Sequence, residues 1–484
     1  MNIILKSFDG PYNHFTIERA FKGVALSTCI SISWDLQEIP TLEAREHILM
    51  NSRDCKYGRY PGVRWTEITP LDEQLIEDMR GTEGTFMVLI TRNALDPIPY
   101  ADRRKQYFDH LRYWNHVLET KKIDLLLLNH PPHSGYDVVL YDLCRRKAIP
   151  TLYIDRCHPF NSAVFVKHWE EASPWVRDRF AELQEEFRDL AKPIPLAGKF
   201  EHYYQAQTVS NEAPWYVFPR PTYLTEKNFV RRWMRIALRM AIHRPRKFLS
   251  SVLSRRFWKR KLRDHRIIAA YDQHAMKPDY AKRYIYVPLH MQPEATTCPI
   301  GGAFVDQERL IQLIAWHLPE DVLLYVKEHP NQREEMRSIE FYQSLVDIPS
   351  VRLMERDTST VDLMEHAEAV ATVTGTAGFE GLFRGKPVLL FGHVFYQYAR
   401  GVHMIRSSED CRCALERIFD KKEKPTLRDA RLYLKALEEC GTTYEGAVLT
   451  PGETMTVEEQ AVELGENLRK MIDEVMKDVS LSAR

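Results

Sequence analysis

A turn with two threonines and two glycines separates an apolar run from a helical pattern in the last third of the chain. It consists of Thr374, Gly375, Thr376, Ala377 and Gly378, and Glu380 follows. Backbone N–H groups at a helix start favour an anion such as a phosphate, and threonine hydroxyls can add donors. A carboxylate one helical turn further on can accept hydrogen bonds from a ribose. The alternative is a tight turn in which Thr376 only caps the helix. The spacing matches neither the Rossmann nor the Walker pattern, which disfavours nicotinamide cofactors and ATP hydrolysis.

A second polar group directly follows the apolar run 322–326. It contains Lys327, Glu328 and His329, and Pro330 comes next. Proline biases the preceding residue towards an extended backbone, so the His329 ring should point away from the strand end. An imidazole in that position can donate to a phosphate and stabilise a departing nucleotide. An ordinary His-Pro turn is the alternative.

Two further loops carry polar side chains. In loop 290–302, Gln292 and Glu294 can bind a sugar or a base, unless the loop is only an ordered part of the surface. In the first half of the chain, His130 and His133 follow another apolar run, and either can act as a general base or bind an acceptor. Helix capping and packing explain these two histidines equally well.

Alternating apolar runs and helical patterns place these residues on two parallel sheets. In the second half, Asp306 is expected to cap a helix that reaches His317. The strands predicted there are 284–289, 322–326, 351–353, 369–374 and 387–391. In the first half, strands 123–128 and 150–155 flank a helix at 137–147, whereas the first hundred residues show no clear pattern. Ligands of such sheets bind at the carboxyl ends of the strands, where all of these loops lie.

The segment 231–266 differs from the rest of the chain in its charge. It contains 14 Lys or Arg residues against one acidic residue, Asp264, with tryptophan, leucine and other apolar residues between them. We interpret it as a cationic amphipathic patch that rests on anionic lipid, with Arg231, Arg232, Arg235 and Arg239 as contact residues. A solvated helical pair and an RNA-binding surface are the alternatives.

The composition indicates a globular chain. With 484 residues, of which 44% are hydrophobic and 11% aromatic, two or three domains can each bury a core. Equal counts of 67 basic and 67 acidic residues argue against a protein that coats nucleic acid. The sequence lacks a long apolar run and a secretory pattern, so we expect a cytoplasmic protein. The eight cysteines have no usual zinc spacing, so we expect reduced thiols and no metal.

Three segments of the second half together resemble the bacterial capsule polysaccharide biosynthesis proteins. They are 286–294 (YVPLHMQPE), 327–330 (KEHP) and 374–388 (TGTAGFEGLFRGKPV), and they lie in this order within 280–395. That family includes the transferases that move 3-deoxy-manno-octulosonate (Kdo) from its CMP donor onto a lipid. The His-Pro turn and the threonine-rich turn are also similar to the CMP-binding pair of bacterial sialyltransferases. Those are GT-B enzymes, in which two Rossmann-like domains enclose the donor.

The resemblance implies roles for single residues. His329 would contact the CMP phosphate, Thr374 to Ala377 would cradle it, and Glu380 would lie near the ribose. Glu328 would touch the base or order the turn. GT-B enzymes generally need no bound metal, and the absence of a clear Asp-x-Asp motif agrees with this. The first domain matches no motif, so the acceptor and the catalytic base stay open.

We therefore expect an α/β, GT-B-like protein with two Rossmann-like parallel-sheet domains, a helical basic insertion and a helical C-terminal tail. The predicted units are an acceptor domain (1–225), the basic segment (226–280), a nucleotide-sugar-binding domain (281–405) and the helical extension (406–484). The predicted function is a metal-independent glycosyltransferase of capsule or surface polysaccharide synthesis at the inner face of the cytoplasmic membrane. It would use a nucleotide sugar, by preference CMP-Kdo, and a lipid-linked or saccharide acceptor, with no cofactor and no nucleic acid. The alternatives are a CDP-polyol phosphotransferase of the same architecture and a non-catalytic membrane-associated scaffold.

Overall fold

Two seven-stranded sheets organise the described residues of the chain. The structure is a computed structural model, and it describes residues 1–40, 42–91, 98–157, 162–210, 229–243, 254–292, 294, 296–330, 332, 337–444 and 455–482. Apolar side chains cover both faces of each sheet, as the sequence pattern of an α/β protein predicts. The predicted fold class is confirmed.

The first sheet has the strand order β14-β6-β5-β4-β1-β2-β3. Its strands are β1 Asn2–Lys6, β2 Leu26–Ser33, β3 Ala44–Asn51, β4 Leu125–Leu128, β5 Thr151–Cys157, β6 Ser162–Val166 and β14 Thr442–Thr443. Strands β1 to β5 are parallel to their neighbours, and β6 is antiparallel to β5 and to β14. The four leucines of β4 are completely buried, because helices cover both faces of a parallel sheet.

Helices connect these strands and continue beyond them. They are α1 Gly10–Ala20, α2 Ser52–Lys56, α3 Glu73–Asp78, α4 Arg80–Thr91, α5 Tyr100–Lys121, α6 Tyr136–Arg146, α7 Pro174–Glu186 and α8 Gly198–Gln205. The basic segment supplies α9 Phe229–His243 and α10 Arg255–His274, as its helical pattern predicts. The basic residues between these two helices, within 244–253, lie outside the described residues.

The second sheet is parallel throughout and has the order β13-β12-β11-β8-β9-β10-β7. Its strands are β7 Ala275–Met276, β8 Arg283–Pro288, β9 Val322–Lys327, β10 Val351–Met354, β11 Ala369–Thr372, β12 Val388–Leu390 and β13 Val402–Met404. Its helices are α11 Gln307–His317, α12 Ile339–Val346, α13 Thr360–His366, α14 Thr376–Leu382 and α15 Ser408–Phe419.

Two details of this half differ from the sequence prediction. Strand β11 ends at Thr372 rather than at residue 374, because the Gly375 N–H turns back to donate to the Thr372 hydroxyl at 3.0 Å. Asp306 occupies the N-cap position of α11, but its side chain makes no capping hydrogen bond.

The segment 406–484 is divided between the two halves of the molecule. Helix α15 packs on the core of the second sheet. Helix α16, Leu427–Cys440, packs against α7, where the rings of Phe180 and Tyr433 lie 5.0 Å apart. Strand β14 extends the first sheet, and α17, Val457–Ser482, packs against α1. None of the described helices combines the length and the apolarity that crossing a bilayer requires.

Candidate functional site

The polar residues predicted in the second half follow neighbouring strands of one sheet. Strand β8 lies between β9 and β11. The carboxyl ends of these three strands lead to His290, to the 327–330 turn and to the 374–378 turn. The structure therefore places both turns at the carboxyl edge of the second sheet, as the sequence predicts. His290, a histidine that the sequence reasoning did not single out, follows the strand between them.

His290 connects the strand ends. Its Nε2 lies 2.8 Å from Thr372 Oγ1, and it accepts hydrogen bonds from the backbone N–H groups of Val373 and Thr374 at 3.2 and 3.3 Å. A nitrogen that accepts two N–H groups carries no proton itself, so we assign the ring proton to Nδ1. Burial, together with the charges of His329 and Arg337, lowers the pKa of His290 to about 3. His290 is therefore a neutral acceptor that shapes the turn after β11.

Glu328 is held by a buried network rather than presented to a ligand. Arg337 contacts both of its carboxylate oxygens, at 2.9 and 3.1 Å. The Tyr342 hydroxyl donates to it at 2.6 Å, and the His329 N–H donates at 2.7 Å. Burial raises the pKa of Glu328, but the charge and hydrogen bonds of Arg337 outweigh burial and keep the pKa below its usual range. The resemblance implied that Glu328 either touches the base or orders the turn, and these contacts fit the second role.

Lys327 and His329 bring basic groups to the same edge. Lys327 is 5% exposed, and burial lowers the pKa of its ammonium group, against the charges of Asp357 and Glu328. His329 is partly exposed, and its charge helps to lower the pKa of His290. An ammonium group and an imidazole at one strand end can together neutralise a phosphate.

Several donors of the 374–378 turn are already engaged within the protein. The Val373 and Thr374 N–H groups donate to His290, and the Thr374 hydroxyl donates to the Thr296 carbonyl at 2.8 Å. Helix α14 begins at Thr376 and Ala377, both partly exposed, where N–H groups have no acceptor within the helix. Both Thr374 donors are therefore already engaged, whereas Thr376 and Ala377 lie partly exposed at the start of α14.

The remaining predicted donor-site residues have contacts within the protein. The Gln292 amide donates to the Val305 carbonyl and accepts from Arg337 at 2.6 Å. Glu294 accepts from the Thr296 hydroxyl at 2.9 Å. Glu380 is 6% exposed. Burial raises the pKa values of Tyr286 and Tyr396, and the charge of Glu380 raises both of them further.

The two histidines predicted in the first domain lie over a buried ion pair. Lys6 Nζ is 2.7 Å from Asp137 Oδ2 and 3.2 Å from His130 Nε2. Burial lowers the pKa of His130 well below its usual value, and the charges of Lys6 and His133 add to this shift. Asp137 also accepts from the backbone N–H groups of His133 and Ser134. His130 is consequently a weak base at neutral pH.

The edges that carry these residues face one another. Val138 at the start of α6 and Leu89 of α4 form an apolar cluster with Cys298 from the loop after β8. The ring of His393, which follows β12, lies 5.5 Å from that of Trp169. Among the described residues, no three His, Cys, Asp or Glu side chains are grouped as a metal site would require.

Two facing parallel-sheet domains with polar residues at their carboxyl edges define a GT-B-like α/β protein. Residues 240–435 match the family model described as capsule polysaccharide biosynthesis protein. The matched segment contains strands β7 to β13 and thus the turns of His329 and Thr374. The resemblance predicted from the sequence is confirmed over these residues.

Solved structures give distant likenesses. KpsC of Thermosulfurimonas dismutans, described as a beta Kdo 2,7 transferase, is 14% identical with a TM-score of 0.33 over 96% of this chain and 99% of that chain. KpsC of Thermosulfurimonas dismutans, described as a beta Kdo 2,4 transferase, is 16% identical with a TM-score of 0.30, over 70% of this chain and 87% of that chain. UDP-GlcNAc 2-epimerase from Methanocaldococcus jannaschii is 11% identical with a TM-score of 0.26, over 90% and 99%. These scores carry no conclusion about activity. No curated protein matches the chain.

His290 and Arg337 are functional candidates that the sequence reasoning missed. His290 directly follows a predicted strand, so the rule that selected His329 could have selected it too. Arg337 has no sequence signal, because its partner Glu328 is fixed only by the folded chain.

Proposed function

We propose that the protein is a glycosyltransferase of surface polysaccharide synthesis that takes a sugar from a nucleotide donor. The observation that carries the proposal is the junction of His290 with Thr372 and the turn into α14, next to the end of β9, which leads to Lys327 and His329. It gathers basic and hydroxyl groups at one strand edge inside the segment matched by the capsule polysaccharide family. A donor phosphate is the ligand that such a set binds best.

In the proposed reaction an acceptor hydroxyl attacks the anomeric carbon of the donor sugar. The bond between that carbon and the phosphate oxygen breaks, and the nucleotide leaves with the electron pair. Lys327, His329 and the Thr376 hydroxyl stabilise the negative charge that grows on the phosphate, so the proposal includes no metal ion. The buried Glu328–Arg337 pair keeps the backbone of His329 in position.

We favour CMP-Kdo as the donor, on the grounds of the sequence resemblance and the family match. The test is the release of CMP, CDP, UDP or GDP from a panel of nucleotide sugars, followed by chromatography. We expect turnover of a CMP-linked donor and a loss of about 10²-fold in His329→Ala, the scale of removing one transition-state donor. His274→Ala, an exposed histidine at the end of α10, is the matched control and should keep full activity.

The same panel separates the alternatives. Turnover of CDP-linked polyols instead of CMP-Kdo would favour the phosphotransferase. A chain that binds no nucleotide by calorimetry but still binds vesicles would favour the scaffold.

We further propose that α9 rests on an anionic membrane surface. Met234, Leu238 and Ile242, spaced by four residues, are 59, 64 and 65% exposed and form an apolar stripe. The exposed Arg231, Arg235 and Arg239 follow the same spacing on the helix. Arg232 belongs to α9, but its side chain lies outside the described part of the structure. An apolar stripe next to a basic one is typical of helices that lie in the headgroup region.

A further inference from the structure

The loop between β1 and α1 carries polar atoms whose hydrogen bonds the described residues do not satisfy. Ser7 Oγ and Asp9 Oδ1, two residues apart, are buried and have no hydrogen-bond partner in the described part of the chain. A buried polar atom without a hydrogen-bond partner destabilises the folded chain. Two such atoms on one loop leave hydrogen-bonding capacity that a bound molecule can use.

The fold itself does not explain the Asp9 carboxylate. Asp9 is the N-cap residue of α1, a position where aspartate normally accepts a backbone N–H, but it makes no capping hydrogen bond. Pro11, in the first turn, has no N–H to offer. The other carboxylate oxygen of Asp9, Oδ2, accepts one long hydrogen bond from the Trp34 N–H, at 3.5 Å.

The backbone of Ser7 is strained at the same place. Ser7 has a φ of 64°, in the left-handed region that favours glycine, and is 8% exposed. The Asn129 amide donates to its carbonyl at 2.8 Å, and its N–H donates to the Ile32 carbonyl at 2.8 Å. Such backbone strain is found mainly at functional positions. The loop also lies at the β1/β4 boundary, where the strand order of the sheet reverses and ligands of α/β sheets bind.

An exposed aromatic residue lies at the end of the neighbouring strand β2. Trp34 follows β2, is 46% exposed, and contacts Asp9 through its backbone N–H. An indole ring offers a flat apolar surface, whereas Ser7 and Asp9 offer a hydroxyl and a carboxylate. A sugar ring has the complementary chemistry, with an apolar C–H face and hydroxyl groups at its edge.

We propose that Ser7, Asp9 and Trp34 form the site for a saccharide acceptor and that Asp9 is the catalytic base. The inference rests on the proposed function, whose acceptor and base it identifies. The Asp9 carboxylate, which is partly exposed, takes the proton of the acceptor hydroxyl while the hydroxyl oxygen bonds to the anomeric carbon, and the nucleotide departs with the electrons of the broken bond. The Ser7 hydroxyl binds a neighbouring sugar hydroxyl, and the sugar packs on Trp34.

The charges around Asp9 suit this role. Burial raises the pKa of Asp9, and the carboxylates of Glu38 and Asp35 raise it further, against the Trp34 N–H and the ammonium group of Lys6. A carboxylate with a raised pKa is a stronger base than an exposed one.

The test separates acceptor binding from donor binding. Saturation-transfer NMR with methyl glycosides of galactose, N-acetylglucosamine and Kdo at millimolar concentration measures saccharide binding, and calorimetry measures CMP binding. We expect Trp34→Ala and Asp9→Asn to lose the glycoside signal and to bind CMP as the wild type does. The controls are Trp316→Ala, at a tryptophan 83% exposed on α11, and Asp102→Asn, at an exposed residue of α5. Both should keep the glycoside signal.

With a transferable donor, Asp9→Asn should lower kcat by about 10²- to 10⁴-fold. Trp34→Ala should mainly raise KM for the acceptor. Because the Asp9 side chain makes no capping hydrogen bond and receives only the long Trp34 contact, Asp9→Asn should melt no lower than the wild type. Wild-type protein that binds none of the glycosides, or variants that bind them unchanged, would overturn the acceptor site. Absent CMP binding with intact glycoside binding would instead count against the proposed donor function.

Discussion

The carboxylate of Glu328 and the guanidinium of Arg337 form a buried two-point ion pair, with Nε–Oε2 at 2.9 Å and Nη2–Oε1 at 3.1 Å. Arg337 also donates to the His290 carbonyl at 2.9 Å. The pair thereby joins the turn of His329 to the end of β8. Both side chains are about 1% exposed, so water cannot solvate either charge if its partner is removed.

Glu328→Gln should lower the free energy of unfolding by about 3–5 kcal/mol, because Arg337 keeps a buried charge without its counter-ion. Urea denaturation followed by circular dichroism measures the change. Arg64→Gln, which breaks the exposed pair with Glu67, is the control and should cost less than about 1 kcal/mol. Equal effects of the two substitutions would contradict the role given to the Glu328–Arg337 pair.

Gly375→Ala tests how closely the turn after β11 is packed. An added Cβ would lie 2.9 Å from Thr372 Oγ1 and 3.1 Å from His290 Cε1, so the turn must shift. We expect a stability loss of about 1–3 kcal/mol and weaker CMP binding by calorimetry. At Gly84 in α4 an added Cβ meets nothing within 4 Å, so Gly84→Ala should be neutral or stabilising by about 0.5–1 kcal/mol. Unchanged CMP binding in Gly375→Ala would remove this turn from the donor site.

The strands of the second half could be predicted because apolar runs, helix signals and turn residues agree along that sequence. The first hundred residues gave no clear pattern for physical reasons. Strand β2, LSTCISIS, buries serine and threonine as well as apolar residues. Strand β3 lies at the edge of its sheet and is only partly buried.

The site could be predicted only in outline. The rule that ligands bind at strand ends selected His329 and the turn before α14. It could not show that His290 takes up the N–H groups of Val373 and Thr374, because that contact joins residues about eighty positions apart. Asp9 was not singled out in the sequence, because only the folded chain shows that its Oδ1 has no partner among the described residues.

His290 should make part of the stability depend on pH. Its pKa is about 3 in the folded protein, against 6.5 for a free imidazole. Between these values the unfolded chain binds a proton that the folded chain does not, so stability falls as the pH decreases. For one proton, the free energy of unfolding changes by about 1.4 kcal/mol per pH unit. In His290→Gln the unfolding free energy should lose the part of its pH dependence that comes from this one proton. Urea denaturation from about pH 4 to pH 7 measures the change.

The comparison of slopes isolates His290 from the other buried histidines. His110 and His403, with pKa values lowered by burial to about 3 and about 4, contribute equally to the wild type and the variant. An unchanged slope in His290→Gln would mean that the His290 ring is protonated in the folded protein and does not accept the two N–H groups.

Neutralising the arginines of α9 tests the proposed membrane contact. Each basic residue at an anionic surface contributes about 1 kcal/mol, so changing Arg231, Arg235 and Arg239 to Gln should weaken binding to phosphatidylglycerol vesicles by about 10²-fold. Co-sedimentation measures this, and wild-type binding should fall as salt is added because salt screens the attraction. The control changes Lys421, Lys422 and Lys424 to Gln, removing the same charge from an exposed segment after α15. Binding that ignores salt, or that both triple variants lose equally, would show that α9 is not the membrane contact.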